Sequence, residues 1–464
     1  MLQTYYNESL AATIELSLAS PTFLSLGPNA RDLLGVIAFF PQGIDENNLD
    51  WLFPVIPNRK NIFDQFCVLS LTHRSNGFIT MLAPIRDYLC PQDPQSSTLL
   101  CATRDLYFRR LSVDLDPNEP GFGEARWIVL EDVNVEHLLD VFTSINPNTL
   151  DTWNVCHRFM EHLRWHKPRK TILGSKIESL PDDHHYKPEC LFQLSQLFRQ
   201  AGNHSEQKRL LTDTLRLGRQ RGDDSHVAQA LTFLSDVSLV LKLFKEGTQQ
   251  AKEALEIYER IGNTDGQMDC LKILALLLYY DQQLDAAEGA ASRAIGLVPE
   301  KGQEYFLCEL HQVLGQVYGS KGEKRKAIRH FETAIRIASP LNWHSRLFWI
   351  HYALAELFTN DNEFNDANTH IEQAKSFCAD GGYHMGRAMD FQADVWYRQR
   401  RFEDAKLEAL HALEIYEKLG AAHDSGLCRD LLQKIEGAMR DRPTVSQVSS
   451  WIQSYILRVL TCTS

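Results

Sequence analysis

The stretch ALEIYERIG (Ala254–Gly262) returns as ALEIYEKLG (Ala412–Gly420), changed only at the positions of Arg260 and Ile261. The alanines around it keep time: Ala254, Ala294, Ala334 and Ala374 step by 40 residues, and Ala412 follows after 38. Seven residues before each stands Gly247, Ala287, Ala327, Ala367 or Ala405. Further upstream, Leu194, Leu234, Leu274, Leu314 and Leu354 share the 40-residue step. Each is followed by a small residue: Ser195, Ser235, Ala275, Gly315 or Ala355. Three positions later come Phe198, Leu278, Tyr318 and Phe358, with Trp396 in the last unit and Ser238 as the exception.

A leucine and an aromatic four apart share one face of a helix, and the small residue between them admits a second helix at close range. Alanines seven apart do the same for that second helix. The pattern therefore predicts a pair of antiparallel helices per unit. One such pair leaves a face uncovered, so the units must stack into a solenoid. The repeated string is the second helix of two units four steps apart.

LGQVYGSKGEKRKAIRHFETAIRIASP (Leu314–Pro340) resembles the tetratricopeptide repeat, matching its L-G-x-x-Y, A, F, A and late-P pattern. The fold class expected is all-α: about six units of roughly 40 residues over 188–423, then a capping helix at Gly426–Met439 and a tail within 424–464. The first unit departs from the pattern, with Gln207 and Thr214 in place of its alanines. The resemblance also implies a concave groove lined by the first helix of each unit. Its positions here are Gln229, Thr232 and Asp236, then Asp269, Lys272, Tyr279 and Tyr280, then Glu309, Gln312 and Gln316. Trp349, Tyr352 and Glu356 follow, and finally Arg387, Asp390, Asp394 and Tyr397. The ninth positions lack the asparagines of a carboxylate clamp, so chaperone tails are poor partners. Aromatics mixed with carboxylates suit an extended segment carrying Lys or Arg and one or two apolar anchors.

Residues 1–90 read differently. NARDLLGVIAFF (Asn29–Phe40) is an apolar helix stopped by Pro41, Asp45 caps a short second helix, and NIFDQFCVLSL (Asn61–Leu71) is a third. Asn76-Gly77 between apolar runs signals a two-residue hairpin. Three helices and a hairpin make a winged helix. Asp64 and Gln65 on the third helix, with only Arg59 and Lys60 at its entrance, are a poor match for phosphates, and the net charge of −12 agrees. LLGVIAFFPQGIDENNLDWLF and GFITMLAPIRDYL are similar to the winged-helix segments of fungal STAND nucleotide-switch proteins of the NB-ARC type. In that family the segment joins an upstream nucleotide-binding domain to downstream repeats. The family's phosphate loop is absent from this sequence, because LGSKIES (Leu173–Ser179) lacks the paired glycines. The motif histidine that faces nucleotide in the family aligns with Leu82, beside Met81. The resemblance thus implies a regulatory C-terminal region without the nucleotide-binding domain, and no nucleotide cofactor.

Residues 91–187 read as a helical connector, including EARWIVLEDVNVEHLLDVF (Glu124–Phe142) and LDTWNVCHRFMEHLRWH (Leu150–His166). The latter holds the strongest hint of metal chemistry, His157, His162 and His166 near Glu161, but neither zinc-protease order fits. His184 and His185 sit in a loop with no second cluster beside them. Ten scattered cysteines without a C-x-x-C pair suit a reducing compartment. The start of the chain has no basic, apolar signal pattern, and the run Leu271–Tyr280 is short and holds Lys272, so a cytoplasmic protein away from membranes is expected. The tail's Trp451, Tyr455, Ile456 and Val459 fit one helical face. Function is expected to be non-enzymatic, without metal or catalytic residues: a ligand-sensing or protein-binding region of a STAND-type protein. The alternatives are a freestanding tetratricopeptide adaptor and, more remotely, a metal-dependent hydrolase.

Overall fold

The computed structural model of the chain describes residues 2–114, 128, 130–145, 150–166, 171–299, 303–378 and 382–440. The chain divides into two compact units between Val237 and Ser238. The tail aromatics, the loop at 116–123 and part of Glu124–Phe142 lie outside the described residues.

The first unit opens with helix α1 (Leu2–Leu18) and a short α2 (Pro21–Leu24). Then come α3 (Ala30–Phe39), β1 (Ile44–Asp45), α4 (Leu49–Leu52), α5 (Arg59–Val68), β2 (His73–Ser75), β3 (Phe78–Thr80) and α6 (Ala83–Leu89). Asn76 and Gly77 carry the positive φ values of a tight hairpin turn, as their sequence predicts. The strands form an antiparallel sheet in the order β1-β3-β2, with Ile44 opposite Ile79. Helices α3, α4 and α5 and this small sheet follow one another in the order expected from the sequence. Gly43 makes the first pairing sterically possible: a Cβ there would stand 2.1 Å from the Ile79 carbonyl oxygen. Asp45 caps the turn after β1 by accepting the Asn47 N–H at 2.8 Å.

The next stretch holds α7 (Thr98–Asp114), α8 (Asp132–Ile145), α9 (Leu150–His166) and α10 (Gly174–Ser179). Its side chains share one core with those of the preceding helices and sheet. Tyr107 packs on Phe40 and Trp51 at ring distances of 5.4 and 5.1 Å. Asn134 accepts the Gln42 N–H at 3.0 Å and donates to the Gly43 carbonyl at 2.8 Å. Buried Glu131 accepts hydrogen bonds from Asn48 and Tyr107. Burial raises its pKa, with those hydrogen bonds pulling the other way. Such a network is costly unless complete, so it fixes one docking geometry.

Helices then follow at the predicted step: in the first unit α11 (Lys187–Gln200) pairs with α12 (His204–Arg221), α13 (Asp224–Val240) reaches the boundary between the units, and α14 (Phe244–Ile261) belongs to the second. In the second unit α15 (Thr264–Tyr280) pairs with α16 (Leu284–Leu297), and α17 (Glu304–Ser320) with α18 (Lys324–Ala338). The last pairs are α19 (His344–Asn360) with α20 (Phe364–Ser376), and α21 (Tyr383–Arg398) with α22 (Phe402–Leu419). Helix α23 (Ala422–Arg440) starts four residues before the expected cap and covers Ala405, Ala409 and Ala412 with Cys428, Leu432 and Ile435.

The anchors behave as their spacing demands. Ala287, Ala294, Ala327, Ala334, Ala367 and Ala374 are all fully buried. In the repeated string, Tyr258 and Tyr416 are buried and Gly262 and Gly420 adopt left-handed φ. The chain closes there with Asn263 N–H on the Tyr258 carbonyl (3.0 Å) and Ala421 N–H on that of Tyr416 (2.9 Å). The string is repeated because it carries a helix, its packing face and its stop signal together. Within each pair the turn has its own period, with positive φ at Gly202, Lys242, Gln282, Gly322, Asn362 and Arg400.

Candidate functional site: a cleft on the first helices of the second unit

The first helices α15, α17, α19 and α21 present successive rows of polar and aromatic side chains. Most cations among them are already engaged. Lys272 lies 3.4 Å from Asp269 and 3.1 Å from Glu309 on the next first helix. Glu309 also pairs with Arg346 of α19, whose guanidinium donates to the Tyr305 hydroxyl at 2.6 Å and to Gln312 at 3.4 Å. Burial opposes both charges of this ladder, yet the Lys272 pKa is raised by Glu309 and Asp269, and the Glu309 pKa is lowered by Lys272 and Arg346. Further along, Arg387 lies over the Tyr352 ring at 5.6 Å and 3.6 Å from Asp424.

Between these rungs the face opens into a cleft of about 120 Å³. Tyr279 of α15, Gln316 of α17 and Glu356 of α19 line it, with Ser320, Asn360 and Asp361 at its end. Its floor is Gly315 and Gly319. A Cβ on Gly315 would stand 2.7 Å from the Phe331 ring, and one on Gly319 would stand 3.2 Å from Leu357. Asp361 is bound to Lys324 at 2.9 Å. Glu356 is exposed and has no ion pair among the described residues. Desolvation by the walls holds its carboxyl above the usual range, with Arg387 and Arg398 opposing. A cation entering the cleft would find a carboxylate that gains from its arrival.

The predicted groove residues thus divide. Tyr279, Gln316 and Glu356 converge on the cleft, while Lys272, Gln312 and Arg387 belong to the polar ladder. Trp349 and Tyr352 are half-buried: Trp349 meets Tyr352 (5.7 Å) and His384 (5.4 Å), and Tyr352 meets Phe391 (4.9 Å). Their edges border the face while their rings pack on α21. Tyr280 stacks on Phe244 at 5.9 Å, Tyr397 packs on Phe402, and Asp394 pairs with Arg398. Burial raises the pKa of Asp390. In the first unit Gln229 is half-buried and Asp236 binds Arg199 at 2.8 Å. Thr232 is corrected: it is buried, its hydroxyl on the Ala228 carbonyl at 2.8 Å, and it cannot meet a partner. The repeat position alone could not reveal this. Arg346, Gly319 and Asn360 escaped the sequence reading, although glycines four apart inside one helix are a costly pattern that flags a close approach.

The other candidate chemistry is placed as well. His157 stacks on Tyr186 at 5.7 Å, and burial lowers its pKa. The side chains of His162 and His166 lie outside the described ones. Among the described residues no three His, Cys, Asp or Glu side chains converge as metal ligands. Lys176 of LGSKIES is engaged by Asp140 and Ser144. At the start of α5 Arg59 pairs with Asp50 at 2.7 Å, and on β2 Arg74 pairs with Asp64 and Glu46. No described helix is long and apolar enough to cross a membrane.

No family model and no curated protein matches the sequence. Among solved structures the chain is similar to a Signal Transduction ATPase with Numerous Domains (STAND) protein with a tetratricopeptide repeat sensor from Pyrococcus horikoshii. The TM-score is 0.60 at 14% identity, over 90% of this chain and 61% of that one. The fold is a tetratricopeptide-type solenoid. This chain therefore spans less than two thirds of the length of the STAND protein. Weaker likenesses are to apo RapI (TM-score 0.46, 12% identity, 73% of this chain and 98% of that one). A Rap protein complexed with competence and sporulation factor gives TM-score 0.46 at 15% identity, over 81% and 98%.

Proposed function

We propose that this protein is a non-enzymatic, cytoplasmic interaction module whose second unit captures an extended protein segment across α15, α17 and α19. A lysine or arginine of the partner enters the cleft toward Glu356, with Tyr279 and Gln316 flanking it. An apolar residue of the same segment rests on the exposed edges of Trp349 and Tyr352. One observation carries the reading: three successive first helices converge on a glycine-floored cleft whose carboxylate has no ion pair among the described residues. A peptide array probed with the full chain tests it. Bound peptides should be enriched in Lys or Arg next to an apolar residue, and Glu356→Gln should erase the pattern. Indifference to peptide charge overturns it.

A larger setting is supported by the likeness in fold to the STAND protein and by the winged-helix order ahead of the repeats. In that reading residues 1–90 and 91–187 relay capture by 188–423 to an upstream nucleotide-binding domain, and 424–440 cap the solenoid. The rival is a freestanding adaptor. An in-frame phosphate-loop motif in the DNA upstream of Met1 supports the first, and a stop codon there supports the second.

A further inference from the structure

The helix pairs α17/α18 and α19/α20 contain a matching histidine contact, 40 residues apart. His311 Nδ1 lies 2.9 Å from His330 Nδ1, and His351 Nδ1 lies 3.1 Å from His370 Nδ1. Each contact joins the two helices of one pair, α17 to α18 and α19 to α20. In each, the outer ring lies flat on an aromatic at the matching position: His330 on Tyr318 (5.2 Å) and His370 on Phe358 (5.4 Å). Three of these helices, α17, α18 and α19, also line the cleft, through Gly315, Gln316, Phe331 and Glu356.

Two imidazole nitrogens this close share one hydrogen: one Nδ1–H donates and the other Nδ1 must be bare. In the second contact the His370 Nδ1–H is shared with Gln373 Oε1 at 2.9 Å, so His351 Nδ1 is the bare acceptor. A first proton is tolerable on the outer ring, over an aromatic face. A second proton sets two N–H groups against each other and breaks the bridge. We propose that the two histidine pairs are an acid-sensitive latch, holding both helix pairs closed at neutral pH and releasing a segment held in the cleft when acidified. The release rests on the cleft reading above; the latch does not.

The surroundings keep the inner rings neutral. Burial, then His330 and Arg336, lower the His311 pKa to about 4, and burial with His370 lowers that of His351 to about 4. The outer rings are held low by burial, with Glu288 raising and Lys326 lowering His330, and Gln373 and Asp366 raising His370. A depressed folded pKa means the unfolded chain takes up protons first. The stabilisation is therefore full above about pH 6.5, the ordinary histidine value, and is lost as pH falls toward 4.

The test is thermal melting of the full chain at pH 7 and pH 5, with the variant His311→Asn/His351→Asn, whose amides keep a hydrogen-bonding atom but do not titrate. Wild type should melt several degrees lower at pH 5, and the variant should lose most of that difference. An equal drop in both overturns the latch. Should the variant misfold, histidine NMR titration of wild type decides: two rings still neutral at pH 5 support the latch, and ordinary titration of every ring overturns it. Separately, a Lys- or Arg-bearing array peptide should bind wild type at pH 7, weaken steeply only as pH falls through about 4, where the inner rings charge, and weaken less in the variant. A latch that melts as expected while such binding ignores pH overturns the release alone. Failure of every peptide at pH 7 counts against the cleft reading.

Discussion

Phe331 fills the space that a side chain on Gly315 would need, its ring 2.7 Å from where the Cβ would stand. The cleft floor and the packing of α17 on α18 are thus one contact. Gly315→Leu should cost at least ~1–3 kcal/mol, the usual range for overpacking. Ala334→Leu, at a fully buried site, should cost a similar amount. Because solenoid units lean only on neighbours, hydrogen exchange should rise locally, around α17–α20, and less toward α22 and α23. Wild-type melting in both variants would mean the helix register is misassigned.

The left-handed turn residues are a second target. Gln282 has φ +61°, a conformation in which a β-branched side chain is strained. Gln282→Val should cost roughly 1 kcal/mol or more, whereas Gln282→Gly should be neutral within about 0.5 kcal/mol because relief of strain offsets the added freedom of the unfolded chain. Chemical denaturation would show the two variants moving apart; coincident curves would count against the turn geometry.

Glu309 serves two cations, so its loss leaves both Lys272 and Arg346 poorly compensated. Glu309→Ala should destabilise by ~2–3 kcal/mol, toward the low end for buried pairs because the partners keep some solvent contact. Asp50→Ala, which removes the exposed partner of Arg59, should cost less than about 1 kcal/mol. The folded Glu309 pKa is depressed, so its contribution is present at neutral pH and is lost only as pH falls below the ordinary glutamate range. Equal effects of the two substitutions in denaturant would contradict the ladder.

In the first unit the sign reverses. The His226 pKa is raised by its hydrogen bond to Glu189, against burial and with help from Asp223. Its stabilisation is complete below the unfolded histidine pKa and is lost as pH rises through the folded value. His226→Gln should therefore lower the melting point more at pH 6 than at pH 8.5. A loss that is equal at both pH values removes the charge from the explanation.

How much of this was legible depends on the range of each interaction. Leu314, Gly315, Ala327 and Ala334 announce themselves because every unit must solve the same packing problem. The Asn76-Gly77 turn is legible because its chemistry is local. Strand β1 is two residues long, and its partner Ile79 lies 35 positions away, so nothing near Ile44 marks it. Glu131 looks like a surface residue until Asn48 and Tyr107 close over it. Repeat position named Tyr279, Gln316 and Glu356, but also Thr232, because it assigns a face and says nothing of local depth. The histidine pairs need two helices in register, which spacing alone does not supply.

The most direct measurement is a charge swap at the cleft. Take one array peptide whose Lys or Arg is required for binding, and titrate it by calorimetry into wild type, Glu356→Gln and Glu356→Lys, each checked for an unchanged circular-dichroism spectrum and melting point. Affinity should fall at least tenfold in Glu356→Gln and further in Glu356→Lys, as expected for loss of a charge-assisted contact. The same peptide with Glu in place of its cation should bind Glu356→Lys better than it binds wild type. Equal affinity of the cationic peptide for all three proteins would contradict the account.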